Sequence, residues 1–178
     1  MVMENLNKIL YLLIFSRGIS MNDNEPVPTK THLQKEIFLL QKRCPFDEKT
    51  EKYYFVPLYY GPFSKRLSMD LDSGINAGLI TDNSGIMLTV HGFKYVSELW
   101  NSTDNDEKRK IIQVKEKFNR MNIQDLIGYI YDKYPKFTKK SALKKENVDQ
   151  YFNQFWRENE LSDEYFVRIV RESRENNA

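Results

Sequence analysis

Four apolar stripes at helical spacing, with one pair of short extended runs between the third and the fourth, constrain this chain most. Leu6, Ile9, Leu10, Leu13 and Ile14 form the first stripe, and Gly18 offers a stop behind it. Leu33, Ile37, Leu40 and Cys44 form the second, with Phe38 beside them and Pro45 ending the helix. Leu67, Leu71 and Ile75 form the third, which runs out at Asn76-Ala77-Gly78. Phe93, Val96, Leu99 and Trp100 form the fourth. Between the last two, Leu79-Ile80-Thr81 and Ile86-Met87-Leu88 flank Asp82-Asn83-Ser84-Gly85, which predicts a hairpin. Thr31 followed by Gln34 reads as a capping box, and Ser64 and Thr89 read as caps. The polar, proline-bearing run Met21 to Pro28 reads as a loop.

Helix, helix, extended segment, helix, hairpin, helix is the layout of a winged helix-turn-helix core with a short β-hairpin wing. Residues 1–100 carry it. Residues 101–107 (NSTDNDE) read as a polar connector, and residues 108–178 as a helical C-terminal region packing on the core. That region divides into Lys108–Met121, Ile123–Tyr134, Val148–Glu158 and Asp163–Arg174. Ser162 caps the last of these, where Tyr165, Phe166, Ile169 and Val170 form an apolar stripe. The expected fold class is mainly α.

A chain of 178 residues with 40% apolar and 29% charged residues can bury a core and is not of disordered composition. Cys44 is its one cysteine, so no intrachain disulfide forms, which fits a reducing cytoplasm. The apolar run Ile9 to Phe15 is too short to span a bilayer and reads as a buried helix, so no membrane partner is expected. Charge is uneven: of 27 Lys+Arg and 25 Asp+Glu, residues 146–178 hold 4 and 8. A basic body with an acidic tail admits nucleic acid or a protein partner.

No phosphate-loop, dinucleotide or zincin motif occurs, and His32 and His91 lie far apart without a triad or metal-ligand neighbour. Asp70 and Asp72, two apart on a helix, diverge. No enzyme activity, metal or cofactor is expected.

The stretch YYGPFSKR, Tyr59 to Arg66, reads in two ways. Ser64, Lys65 and Arg66 at a helix start can receive a phosphate, or Ser64 only caps while the cations stay solvated. Lys139 and Lys140 belong to the run Lys133 to Lys145, in which Tyr134 and Phe137 alternate with lysines, so they are nucleic-acid candidates or plain solvated surface. A second basic set, Lys108, Arg109, Lys110, Lys115, Lys117 and Arg120, marks one helix. The helix before the wing carries Asp70 and Asp72, and the wing tip has no Lys or Arg, which argues against sequence-specific DNA reading. Tyr53, Tyr54, Phe55, Tyr59 and Tyr60 are too many rings for one buried face, so some of them are expected on the surface as partner contacts, unless the C-terminal helices cover them.

The words KTHLQKEIFLLQ, YYGPFSKRLSMDL, AGLI with LTVHG, and YIYDKYPKFTKKS together resemble the YwgA-like proteins and the related Panacea domain, the SocA-type antitoxin domain. The resemblance covers residues 29–141 and rests most on Leu33-Gln34-Lys35 followed by Tyr60-Gly61-Pro62. It implies a non-enzymatic protein-binding module of the antitoxin or regulator kind. On that reading Leu33, Gln34, Lys35, Tyr53, Tyr59 and Tyr60 are partner-binding candidates, and the partner is a toxin or regulatory protein. The alternative is a winged-helix DNA-binding transcriptional regulator, with nucleic acid bound weakly and without sequence preference.

Overall fold

The computed structural model describes residues 7–44 and 52–138. Among them run six α-helices and four short strands, so the protein is mainly helical. The expected helices Val148–Glu158 and Asp163–Arg174, with Lys139 and Lys140, lie outside the described residues.

The described chain divides into two compact units. The first comprises residues 7–44, 52–55 and 63–121, the second residues 56–62 and 122–138.

In the first unit, α1 (Lys8–Phe15) is buried from Ile9 to Phe15, as a helix apolar all round must be. A loop follows whose turns place Met21 and Asn24 at positive φ. Asn24 turns its amide onto Leu88, accepting from the Leu88 N–H at 2.7 Å and donating to the Leu88 carbonyl at 3.0 Å. Val27 then forms an antiparallel bridge with Ile86, through Val27 N to Ile86 O at 2.9 Å and Ile86 N to Val27 O at 2.8 Å.

α2 spans Lys30–Arg43 and is capped by Thr29, not by Thr31. The Thr29 hydroxyl accepts from the His32 N–H and also bonds the His32 ring, so the capping box read at Thr31 and Gln34 does not form. Gln34 is engaged elsewhere, as described below.

α3 (Lys65–Asn76) starts at the Ser64 cap and leads through Gly78 into β3 (Ile80–Thr81). β3 pairs antiparallel with β4 (Met87–Leu88), Ile80 opposite Leu88 and Thr81 opposite Met87. The expected hairpin is therefore present. α4 (Val90–Ser102), capped by Thr89, sets its first turn so close to the hairpin that a side-chain carbon on Gly92 would strike the Leu79 carbonyl. Phe93 and Trp100 of α4 pack on Phe15 at ring separations of 4.9 and 5.4 Å.

The stretch expected as a connector is nearly all helix: α4 runs to Ser102 and α5 (Asn105–Phe118) starts after Asp104. Asp104 accepts from the N–H groups of Asp106 and Glu107, and those two acids suit the positive helix start. α5 packs on α1 and α2 within the first unit.

In the second unit, α6 (Ile123–Lys133) buries Leu126, Ile127, Ile130 and Tyr131, and a 3-10 turn, Pro135–Thr138, buries Phe137. β1 (Val56–Leu58) pairs with β2 (Gly61–Phe63), whose last residue leads the chain back into the first unit. The chain turns at Tyr59-Tyr60 rather than at Gly61-Pro62, and a two-stranded sheet leaves each strand an open edge that tolerates Pro57 and Pro62. The Tyr131 hydroxyl donates to the Tyr59 carbonyl at 3.2 Å. Gly61 has φ +92°, a region costly to β-branched residues. Gly61→Val should therefore lower stability by about 1–3 kcal/mol, read as a shift in urea midpoint. An unchanged midpoint would show that the turn relaxes freely.

Candidate functional site

α2 organises the site through its glutamines. Gln34 accepts from the Ser64 N–H at 2.9 Å and donates to the Ser64 carbonyl at 3.0 Å, with Ser68 Oγ at 3.0 Å. Gln41, two helical turns on, treats Tyr53 identically: it accepts from the Tyr53 N–H at 2.9 Å and donates to the Tyr53 carbonyl at 3.0 Å. Each side-chain amide thus stands in for a neighbouring strand, satisfying both backbone groups of one residue. Together they fix the chain on either side of the second unit's hairpin.

The segment between Lys52 and Phe55 then sorts its rings. Tyr53 is buried, and its hydroxyl donates to Asp70 Oδ2 of α3 at 3.0 Å. Burial, reinforced by the Asp70 carboxylate, pushes the Tyr53 phenol well above its usual range. Phe55 packs edge-on against Phe38 at 5.3 Å. Tyr54, between these two, points out and is 81% exposed. On α3, Met69 is 54% exposed, and Arg66 Nε donates to Asp70 Oδ1 at 2.8 Å. Lys30 stands 3.5 Å from Asp82 at the hairpin tip and 4.0 Å from Asp72.

These positions correct most of the expected contact residues. Leu33, Gln34 and Lys35, in the stretch of α2 that is buried on every side, and Tyr53 are buried in the first unit, and Tyr60 is buried in the second. Tyr59 is half-buried. Burial pushes the Lys35 amine down to about 7. Ser64 is 1% exposed with its backbone taken by Gln34 and its hydroxyl by Leu67 N–H, so it caps and does not face an incoming phosphate. Lys65 and Arg66 are exposed. Of the rings, sequence reasoning left open which would surface; the pinning of Tyr53 and Phe55 selects Tyr54.

A buried polar group also escaped the sequence. Lys115, read as part of a basic surface, is fully buried. Its ammonium donates to the carbonyls of Leu13, Ile14 and Ser16 at 3.1, 2.8 and 2.8 Å, closing the end of α1. Asn119, one turn on, donates to Glu25 and to the Pro26 carbonyl, both at 3.0 Å. Burial would raise the Glu25 carboxyl, but hydrogen bonds from Ser20 and Asn119 hold it low. Glu36 on α2 is fully buried, and neither carboxyl oxygen has a hydrogen-bond partner.

His32 is buried between Thr29 and the Met121 carbonyl, a structural role, while His91 is exposed. No group of three or more His, Cys, Asp or Glu side chains among the described residues is placed to hold a metal. No helix among them is long and apolar enough to cross a membrane. The arrangement offers an exposed tyrosine, Tyr54, between two neighbours anchored inward. Compared with protein families, curated proteins and solved structures, the chain matches none.

Proposed function

We propose that this chain is a protein-binding module of the antitoxin or regulator kind, built on a winged-helix core, with Tyr54 as a central contact. The observation that carries this reading is Tyr54 itself, 81% exposed between two residues that are anchored inward. A tyrosine gives apolar area and a hydroxyl with only two side-chain torsions to order, which is what a binding anchor needs. The winged-helix reading is supported by the order α1, Val27, α2, α3, β3, β4, in which Val27 bridges Ile86 as a short third strand beside the hairpin.

The same layout keeps the DNA-binding regulator as the second reading. Charge ranks it lower. Arg66 on α3 is tied to Asp70, and the hairpin tip presents Asp82. An α3 that reads the major groove would meet phosphates with carboxylates.

The product of the neighbouring reading frame is the first partner to try. It should co-elute with the full chain, and co-expression should relieve any growth arrest that it causes alone. Co-elution unchanged by Tyr54→Ala would remove Tyr54 from the contact surface.

A further inference from the structure

Gln41 lies half-buried near the C-terminal end of α2, twelve residues before Tyr53. Residues 52–55 lie outside helix and strand. Backbone of that kind takes its order from the side chains that meet its N–H and C=O groups. For Tyr53 both groups are met by one amide, Gln41 accepting at 2.9 Å and donating at 3.0 Å.

A second tie holds the far end of the same residue. The Tyr53 hydroxyl donates to Asp70 Oδ2 at 3.0 Å, and Arg66 Nε donates to Asp70 Oδ1 at 2.8 Å. One oxygen of the carboxylate is thus held within α3 and the other holds Tyr53. Tyr53 is fixed to α2 through its backbone and to α3 through its ring tip, so it cannot turn about the chain without breaking one tie. The direction of the next side chain, Tyr54, is set with it. Phe55 fixes the other side by packing on Phe38 at 5.3 Å.

We propose that Gln41 is the positioning residue of the contact surface: it holds Tyr54 outward in the free protein, with Asp70 as the second anchor, and acts on partner binding through Tyr54. This rests on Tyr54 being a partner contact. A segment ordered before binding spares the partner the cost of ordering it, and each side chain that binding must immobilise weakens affinity by about 2- to 10-fold. Neither Gln41 nor Asp70 has to touch the partner for this.

Nitrogen-15 relaxation of the free full chain reads the first half of the proposal. The Tyr54 amide of wild type should show an order parameter near that of rigid backbone, about 0.85. In Gln41→Ala it should fall toward about 0.6. Tyr53→Phe, which removes only the hydroxyl tie, should lower it less. Gln34→Ala breaks a clamp of the same chemistry at Ser64 and should leave Tyr54 as it was. Titration calorimetry with the neighbouring reading frame's product reads the second half as a double-mutant cycle. Gln41→Ala should weaken binding about 3- to 10-fold in wild type, and less than about 2-fold when Tyr54→Ala is already present. Equal weakening in both backgrounds would make Gln41 a structural clamp only and would overturn the proposal. So would a Tyr54 amide that stays rigid in Gln41→Ala. Wild-type affinity in Tyr54→Ala alone is a different failure: it would remove the contact itself, and with it anything for Gln41 to position.

Discussion

Lys115→Met should destabilise the protein by about 3–5 kcal/mol, a large part of a small domain's total. Methionine keeps the unbranched apolar stem, so the loss is the head group. That ammonium donates to three carbonyls at the end of α1, where a helix leaves its last acceptors unpaired and its dipole negative. Three acceptors on one nitrogen require three N–H groups, so Lys115 is the charged form. Removing it strands those carbonyls in the core and takes the counter-cation from Glu25. Chemical denaturation of the variant measures the loss; a drop below about 1 kcal/mol would mean the site rehydrates or collapses at little cost.

Glu36→Gln should change how stability varies with pH. Burial pushes the Glu36 carboxyl up to about 8 from its usual 4.5, with Lys115 pulling it down and Glu25 pushing it up. Lys115 is itself pushed down to about 8 by burial, against the pull of Glu36, Glu25 and Asp23. At neutral pH Lys115 keeps its proton on three carbonyls, and Glu36, which has no donor to meet a negative charge, is the neutral acid of the pair. A carboxyl raised on folding costs nothing below the unfolded value. Its cost grows by about 1.4 kcal/mol per pH unit between roughly 4.5 and 8, reaching on the order of 5 kcal/mol, and then levels. Lys115 works oppositely: its cost is full below about 8 and is relieved as pH rises toward the usual lysine value. The amide has no proton to lose. Wild type should therefore lose stability relative to Glu36→Gln steadily from about pH 5 to pH 8. Glu25 is common to both proteins and cancels in the difference. Parallel stability curves would show that Glu36 is ionised throughout.

Local signals carried much of this fold. Ser64 and Thr89 cap where a hydroxyl before an apolar stripe says they should, and Gly78 ends α3 at positive φ. The hairpin stood out because two short β-branched and aliphatic runs flank a turn-forming tetrapeptide. What did not show depends on contacts distant in sequence. Lys115 sits among Lys and Arg on α5, and nothing local separates a buried ammonium from its solvated neighbours; only the end of α1, about a hundred positions away, does so. Gln34 looked like half of a capping box because Ser64, thirty residues on, is invisible to a local pattern. The aromatic segment was legible as excess and not as orientation. Tyr53 turns in and Tyr54 out because Gln41 holds the Tyr53 backbone while Asp70 takes its hydroxyl.

The central claim is that Tyr54 binds a protein partner from a fold that does not need its ring. Titration calorimetry of the full chain with the neighbouring reading frame's product, for wild type and Tyr54→Ala, tests it most directly when paired with the melting temperature of each. The account predicts a dissociation constant at least about 30-fold weaker, near 2 kcal/mol, as for a central interface tyrosine. It also predicts a stability change within about 0.5 kcal/mol, as for an exposed side chain. Wild-type affinity in Tyr54→Ala, or a melting temperature that falls as far as in Gly61→Val, would contradict it.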